Sequence, residues 1–117
     1  MSRLQIFIEG TPYSKSKPRG DQKAPLEWDN AIIERTKEYK KINKVAHISL
    51  SADFVLPEDK FSNGLGSDLD NLLKRLLDQL KKTIFEDDGI IFELKASKRK
   101  VVKGDLTGVY LLIEEVE

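Results

Sequence analysis

Two aspartates, Asp68 and Asp70, stand two residues apart in "GSDLDNLLKRLLDQLKK", where a leucine stripe opens a helix. An aspartate at a helix start accepts hydrogen bonds from the first free amides and suits the positive end of the helix dipole. That accounts for one of the two. Leu69 belongs to the apolar stripe, so both flanking carboxylates point away from the core, and two exposed carboxylates held that close repel each other unless a cation sits between them. A hard divalent ion such as Mg²⁺ accepts one or two carboxylates and keeps waters alongside substrate phosphates. Lys74 follows Asp70 by four residues, one turn along the same helix face. It can form a surface ion pair there, or stabilise a phosphoryl oxygen beside a metal. Further on, "EDDG" sets Glu86, Asp87 and Asp88 in a turn before a strand. If that strand runs back beside the helix start, one of these acids completes a metal site; otherwise they are solvated turn residues.

The elements that must position these groups follow from periodicity. "RLQIFIEG" alternates as a first strand, and the segment to Pro25, with three of the four prolines, reads as a loop. A helical pattern runs from Leu26 to about Ile42, carried by Trp28, Ile32, Tyr39 and Ile42. "VAHISLSADFVL" alternates at period two, with Ile48, Leu50, Ala52, Phe54 and Leu56 on one face and His47, Ser49, Ser51 and Asp53 on the other. His47 therefore reads as a polar-face residue and not as a base. Leu69, Leu72, Leu73, Leu76, Leu77 and Leu80 make the strong amphipathic helix, which the turn "EDDG" ends. "IIFELKAS" and "TGVYLLIEEV" are two more strands, and the turn near Gly104 suggests that they pair antiparallel. In the last of them, Tyr110 and Leu112 make the second face more apolar than solvent usually allows, which fits a dimer face or a central strand packed on both sides. The expected fold is α+β, a single domain over residues 1–117 in the order β-α-β-α-β-β, with two helices on one face of a mixed sheet.

Composition bounds the function. A chain of 117 residues can bury a core without staples, and its lack of cysteine excludes disulfides, thiolate zinc sites and a cysteine nucleophile. No stretch approaches the roughly 18 to 20 apolar residues of a membrane span, and the N-terminus is too short in apolar residues for a signal peptide. A cytoplasmic protein without membrane partners is expected. Basic and acidic residues both number 20, so net charge says nothing about nucleic acid, but their distribution does. Lys15, Lys17, Arg19 and Lys23 cluster in the first loop, and Lys95, Lys98, Arg99, Lys100 and Lys103 cluster late in the chain. Such clusters can frame an acidic pocket or simply be solvated.

Taken together, "SDLDNLLKRLLDQL" and the later "DDGIIFELKASKRKV" resemble the motif region of the RusA family of Holliday junction resolvases. The loop "GTPYSKSKPR" is similar to the basic, proline-containing loop after the first strand of many phage-type members, which suggests a prophage-like origin. The resemblance implies an endonuclease that acts as a homodimer. Each subunit would supply one site dependent on Mg²⁺, or Mn²⁺ in its place, with no organic cofactor, and the pair would nick opposed strands of a four-way DNA junction in recombination and repair. It also implies roles for the two aspartates of the D-x-D motif, Asp68 and Asp70, for Lys74, and for Asp88 with Asp87 beside it. Lys15, Lys17 and Arg19, with Lys98, Arg99 and Lys100, would then contact DNA phosphates without reading sequence. Departures are the neutral "FSNGLGS" where some members place arginines, a helix-to-"EDD" connection without the usual glycine, and Gly89-Ile90 in place of a more polar pair. The alternative readings are a non-catalytic junction-binding or replication-associated dimer that keeps the fold, and a small domain whose acids are caps and turns.

Overall fold

Alternation in the strands and the three-and-four spacing of leucines in the second helix leave each element with one apolar face, and a two-layer arrangement buries those faces together. The computed structural model describes residues 3–14, 23–58 and 68–116. In chain order these form β1 (Arg3–Glu9), α1 (Lys23–Thr36), β2 (His47–Leu56), α2 (Leu69–Leu80), a 3-10 turn (Asp88–Ile90), β3 (Ile91–Lys100) and β4 (Gly108–Val116). The class is α+β with both helices on one face of a mixed sheet, as the periodicity predicts. Trp28 and Ile32 of α1, with Leu72, Leu76 and Leu80 of α2, pack on Ile6, Ile8, Leu50, Phe54, Val109 and Leu111.

The sheet order is β1-β4-β2-β3. β4 pairs antiparallel with both β1 and β2, and β3 pairs parallel with β2. Strands β1, β2 and β3 therefore run the same way. The expected antiparallel β3–β4 pair does not form, because β4 inserts between β1 and β2. Its physical reason is visible in the side chains: Val109, Leu111 and Ile113 are fully buried, whereas eight of the ten residues of β3 are exposed. The apolar strand takes the centre and the lysine-rich one takes the edge, where charged side chains discourage further pairing.

Two helix boundaries also differ from the pattern. α1 starts at Lys23, ahead of Pro25, because a proline in the first turn costs no hydrogen bond. It ends at Thr36, whose hydroxyl donates to the Ile32 carbonyl at 2.7 Å. That leaves Thr83 to donate to Thr36 across 2.7 Å, closing the two helix ends on each other. Ile42 is still buried, held by its amide on the Ile84 carbonyl at 2.7 Å.

Both helices begin at the same end of the molecule. α1 follows β1 and α2 follows β2, so the helix starts lie at the carboxyl ends of the three like-running strands, and the Thr36–Thr83 contact lies at the opposite end. The sheet's second face has no helix among the described residues. β4 is central in order but packed on one face only: Tyr110 is 50 % exposed, with its ring 4.6 Å from that of Phe7.

Candidate active site

Asp68 holds the N-cap position of α2 in extended backbone conformation (φ −61°, ψ 127°), yet its side chain makes no capping hydrogen bond. Its carbonyl accepts the Leu72 amide at 2.9 Å, so the backbone starts the helix without help from the carboxylate. Asp70 lies in the first turn, and both aspartates are exposed while Leu69 between them packs on the core. Lys74 follows one turn on, also exposed. Among the described residues the side chains of Asp68, Asp70 and Lys74 make no hydrogen bond or ion pair, including with one another. Neither aspartate is consumed as a cap, and the Asp70–Lys74 surface pair is not formed.

Ser14, the last described residue before the first basic segment, and the carboxyl end of β3 reach the same end. The Arg75 guanidinium grips Asp29 of α1 through two 2.8 Å bonds and donates from Nη1 to the Ser14 carbonyl at 3.1 Å. This half of α2 is thereby tied to the last described residue before the basic loop. Lys15, Lys17 and Arg19 themselves lie outside the described residues. At the carboxyl end of β3 the three candidate cations divide. Lys98 and Lys100 alternate with Arg99, so the first two are on the helix side and Arg99 is on the open face. Lys100 approaches Glu58 at 3.8 Å. Arg99 donates to Asp53 at 2.9 Å and stacks over Tyr110 at 5.6 Å, and the Asp53 hydrogen bond holds its pKa above the ordinary value.

The later acids are elsewhere. Asp88 pairs with Lys81 at 3.2 Å, just past the last residue of α2. Asp87 caps the 3-10 turn, accepting the Gly89 amide at 2.9 Å. The twelve residues of α2 span about 18 Å. Asp68 and Asp70 sit at one end of that length, and Asp87 and Asp88 at the other. The parallel course of β3 is the cause: a strand running alongside β2 must begin at the end where α2 finishes. Among the described residues no group of three or more His, Cys, Asp or Glu converges.

The family model for endodeoxyribonuclease RusA matches residues 12–114. The chain belongs to the RusA endodeoxyribonuclease family. No curated protein matches it. Membership makes the chain an endodeoxyribonuclease by family, and the Arg75–Asp29 pair that ties α2 to α1 is a contact that periodicity does not reveal. Arg75 interrupts a leucine-rich run, which was a signal that it has a partner, but nothing local names Asp29, 46 residues away. His47 is exposed and stacked on Phe92 at 3.9 Å, away from Asp68 and Asp70 at the far end of β2. No helix among the described residues is long and apolar enough to cross a membrane.

Proposed function

We propose that this RusA-family chain resolves four-way DNA junctions in recombination, acting as a homodimer with one Mg²⁺-dependent site per subunit and nicking two opposed strands. The observation that carries the reading is the trio Asp68, Asp70 and Lys74, solvent-facing and unengaged at the carboxyl ends of the parallel strands. Open α/β sheets characteristically use that end for ligands. Two carboxylate groups fit the donor set of Mg²⁺, which accepts one or two from protein and completes its shell with waters and phosphate oxygens. When bound, such an ion supplies Lewis acidity at the scissile phosphate and eases deprotonation of the attacking water. Lys74 stabilises charge on a non-bridging phosphate oxygen. Lys15, Lys17 and Arg19, whose loop starts beside Arg75, and Lys98 and Lys100 hold the DNA backbone; Arg99 is tied to Asp53 and serves the sheet first.

A two-fold junction calls for a two-fold protein, because a closed dimer presents identical sites to opposed strands. The test is cleavage of a synthetic four-way junction with Mg²⁺ or EDTA, with Asp70→Asn beside the native chain and binding followed by gel shift. Paired nicks that require Mg²⁺ and vanish in the variant, with binding kept, are expected. Tight binding without cleavage under any divalent ion would instead mark a junction-binding module.

A further inference from the structure

No bond among the described residues holds the side chains of Asp68, Asp70 and Lys74, so where they stand depends on what fastens the first turns of α2. Two polar contacts tie this helix to α1. At the far end Thr83 meets Thr36. At the site end Arg75, the residue after Lys74, sets a fork on Asp29: Nε and Nη2 each donate across 2.8 Å to a different carboxylate oxygen. Gln79, in step with Arg75 and Thr83 at four-residue intervals, is buried between them with its side-chain oxygen unpartnered among the described residues. The same guanidinium also reaches the sheet. Its Nη1 donates to the Ser14 carbonyl at 3.1 Å, and four residues earlier Gly10 is fastened to the start of β4. There the Gly10 amide donates to the Thr107 carbonyl at 3.1 Å, and the Gly10 carbonyl accepts the Thr107 hydroxyl at 2.8 Å. One side chain therefore refers the site end of α2 to both α1 and the sheet.

Stability alone does not explain the pair. The Arg75 and Asp29 side chains are only 11 % and 13 % exposed. At that depth the cost of desolvation offsets most of the attraction, and two well-packed apolar residues often serve as well. What apolar residues lack is the fixed geometry of a planar fork on a carboxylate. Geometry matters here because α2 is a lever. A tilt of about 3° about the Thr83 contact moves the Asp68 end of a helix about 18 Å long by about 1 Å. A misplacement of about 1 Å can cost about 100-fold in rate. We propose that Arg75, locked by Asp29 and the Ser14 carbonyl, is a positioning residue for cleavage. It holds the carboxylate pair and Lys74 in reactive register with Lys98 and Lys100, which grip the DNA backbone from β3. The inference rests on the endonuclease reading above and adds to it a residue that touches neither metal nor DNA.

The test separates placement from stability. Replacing both partners, Arg75→Met together with Asp29→Leu, removes the fork without leaving a buried charge, so the double variant should melt close to the native midpoint. Its single-turnover cleavage of a synthetic four-way junction with Mg²⁺ should nevertheless slow by about 100-fold, while the half-saturating DNA concentration changes by less than about twofold. Arg75→Lys keeps an ion pair with Asp29 but neither the fork nor the Ser14 bond; it should stay folded and still cut at less than about a tenth of the native rate. A double variant that cuts at the native rate overturns the proposal. So does a loss shared equally by rate and DNA affinity, or one that only follows the folded fraction. The second readout needs no activity. The chain has no cysteine, so spin labels on Ser14→Cys and the exposed Asp78→Cys report the distance from the chain leaving β1 to α2. That distance should be narrowly distributed with Arg75 and Asp29 in place and broader with both replaced; an unchanged width would sink the positioning role. If the native chain cleaves nothing under any divalent ion, the endonuclease reading fails on its own, while the label distances still tell whether Arg75 holds α2 in place.

Discussion

Asp68 sits where a capping side chain belongs and does not cap, while Asp87, in an outwardly similar position, does. The difference separates a carboxylate that its own backbone does not use from one that it does. Losing a working cap costs about 1 kcal/mol, so Asp87→Ala should lower the unfolding free energy in urea by roughly that amount. Asp68→Ala should change it by less than about 0.5 kcal/mol, since the dipole contribution lost is offset by relief of repulsion from Asp70. Cleavage should nevertheless be abolished. A loss near 1 kcal/mol at Asp68 would show that its carboxylate caps α2 in solution, and would weaken its case as a metal ligand. Arg75 illustrates the opposite situation, a charge almost removed from water and satisfied at both ends by Asp29 and the Ser14 carbonyl. Its role is to fix how α1, α2 and the start of the basic loop sit together.

At the scale of elements, β4 is the piece that everything else must accommodate. Its first residue, Gly108, has φ +153° and sits so close to β1 that a Cβ there would run into the Ile8 carbonyl oxygen and the Phe7 ring. Gly108→Ala should therefore cost upwards of about 2 kcal/mol, from backbone strain and from pushing β1 away. Thermal unfolding measures it; a shift within error of native would mean that β1 and β4 separate more easily than their seven-residue register suggests. Gly104, also at positive φ but with open space around it, is the natural control. The strands themselves were legible because alternation is a local property: the buried faces of β2 and β4 are the ones their apolar residues mark. Their order was not. A turn at Gly104 looks the same whether the following strand folds back on its predecessor or passes over to the middle of the sheet, and only the contrast between a charged β3 and an apolar β4 hinted at which would be the edge. The placement of Asp88 inherits that ambiguity. With β3 parallel to β2, "EDDG" lies at the far end of α2 from "SDLD". The D-x-D motif, by contrast, lies within one helical turn and could be read directly.

The molecule as a whole is polar along its strand direction. One end gathers the starts of both helices, the unengaged Asp68, Asp70 and Lys74, the entry to the basic loop and the carboxyl end of β3; the other holds the Thr36–Thr83 contact, Asp87 and Asp88. DNA should bind across the first end, and the salt dependence of binding reports which cations contribute. Each phosphate neutralised on a duplex arm adds about 0.9 to the slope of log affinity against log salt. Replacing Lys15, Lys17 and Arg19 together with glutamine should therefore flatten the slope for a four-way junction by about 2.7 and weaken binding at low salt. Arg99→Gln should leave the slope nearly unchanged, because its guanidinium is already committed to Asp53 on the opposite face of β3 from Lys98 and Lys100. Gel shift over a salt series distinguishes the two variants. An unaltered slope in the triple variant would remove the first loop from the DNA interface, and a full unit lost with Arg99 would mean that the open face of the sheet, and not the end carrying Asp68 and Asp70, lies against the junction.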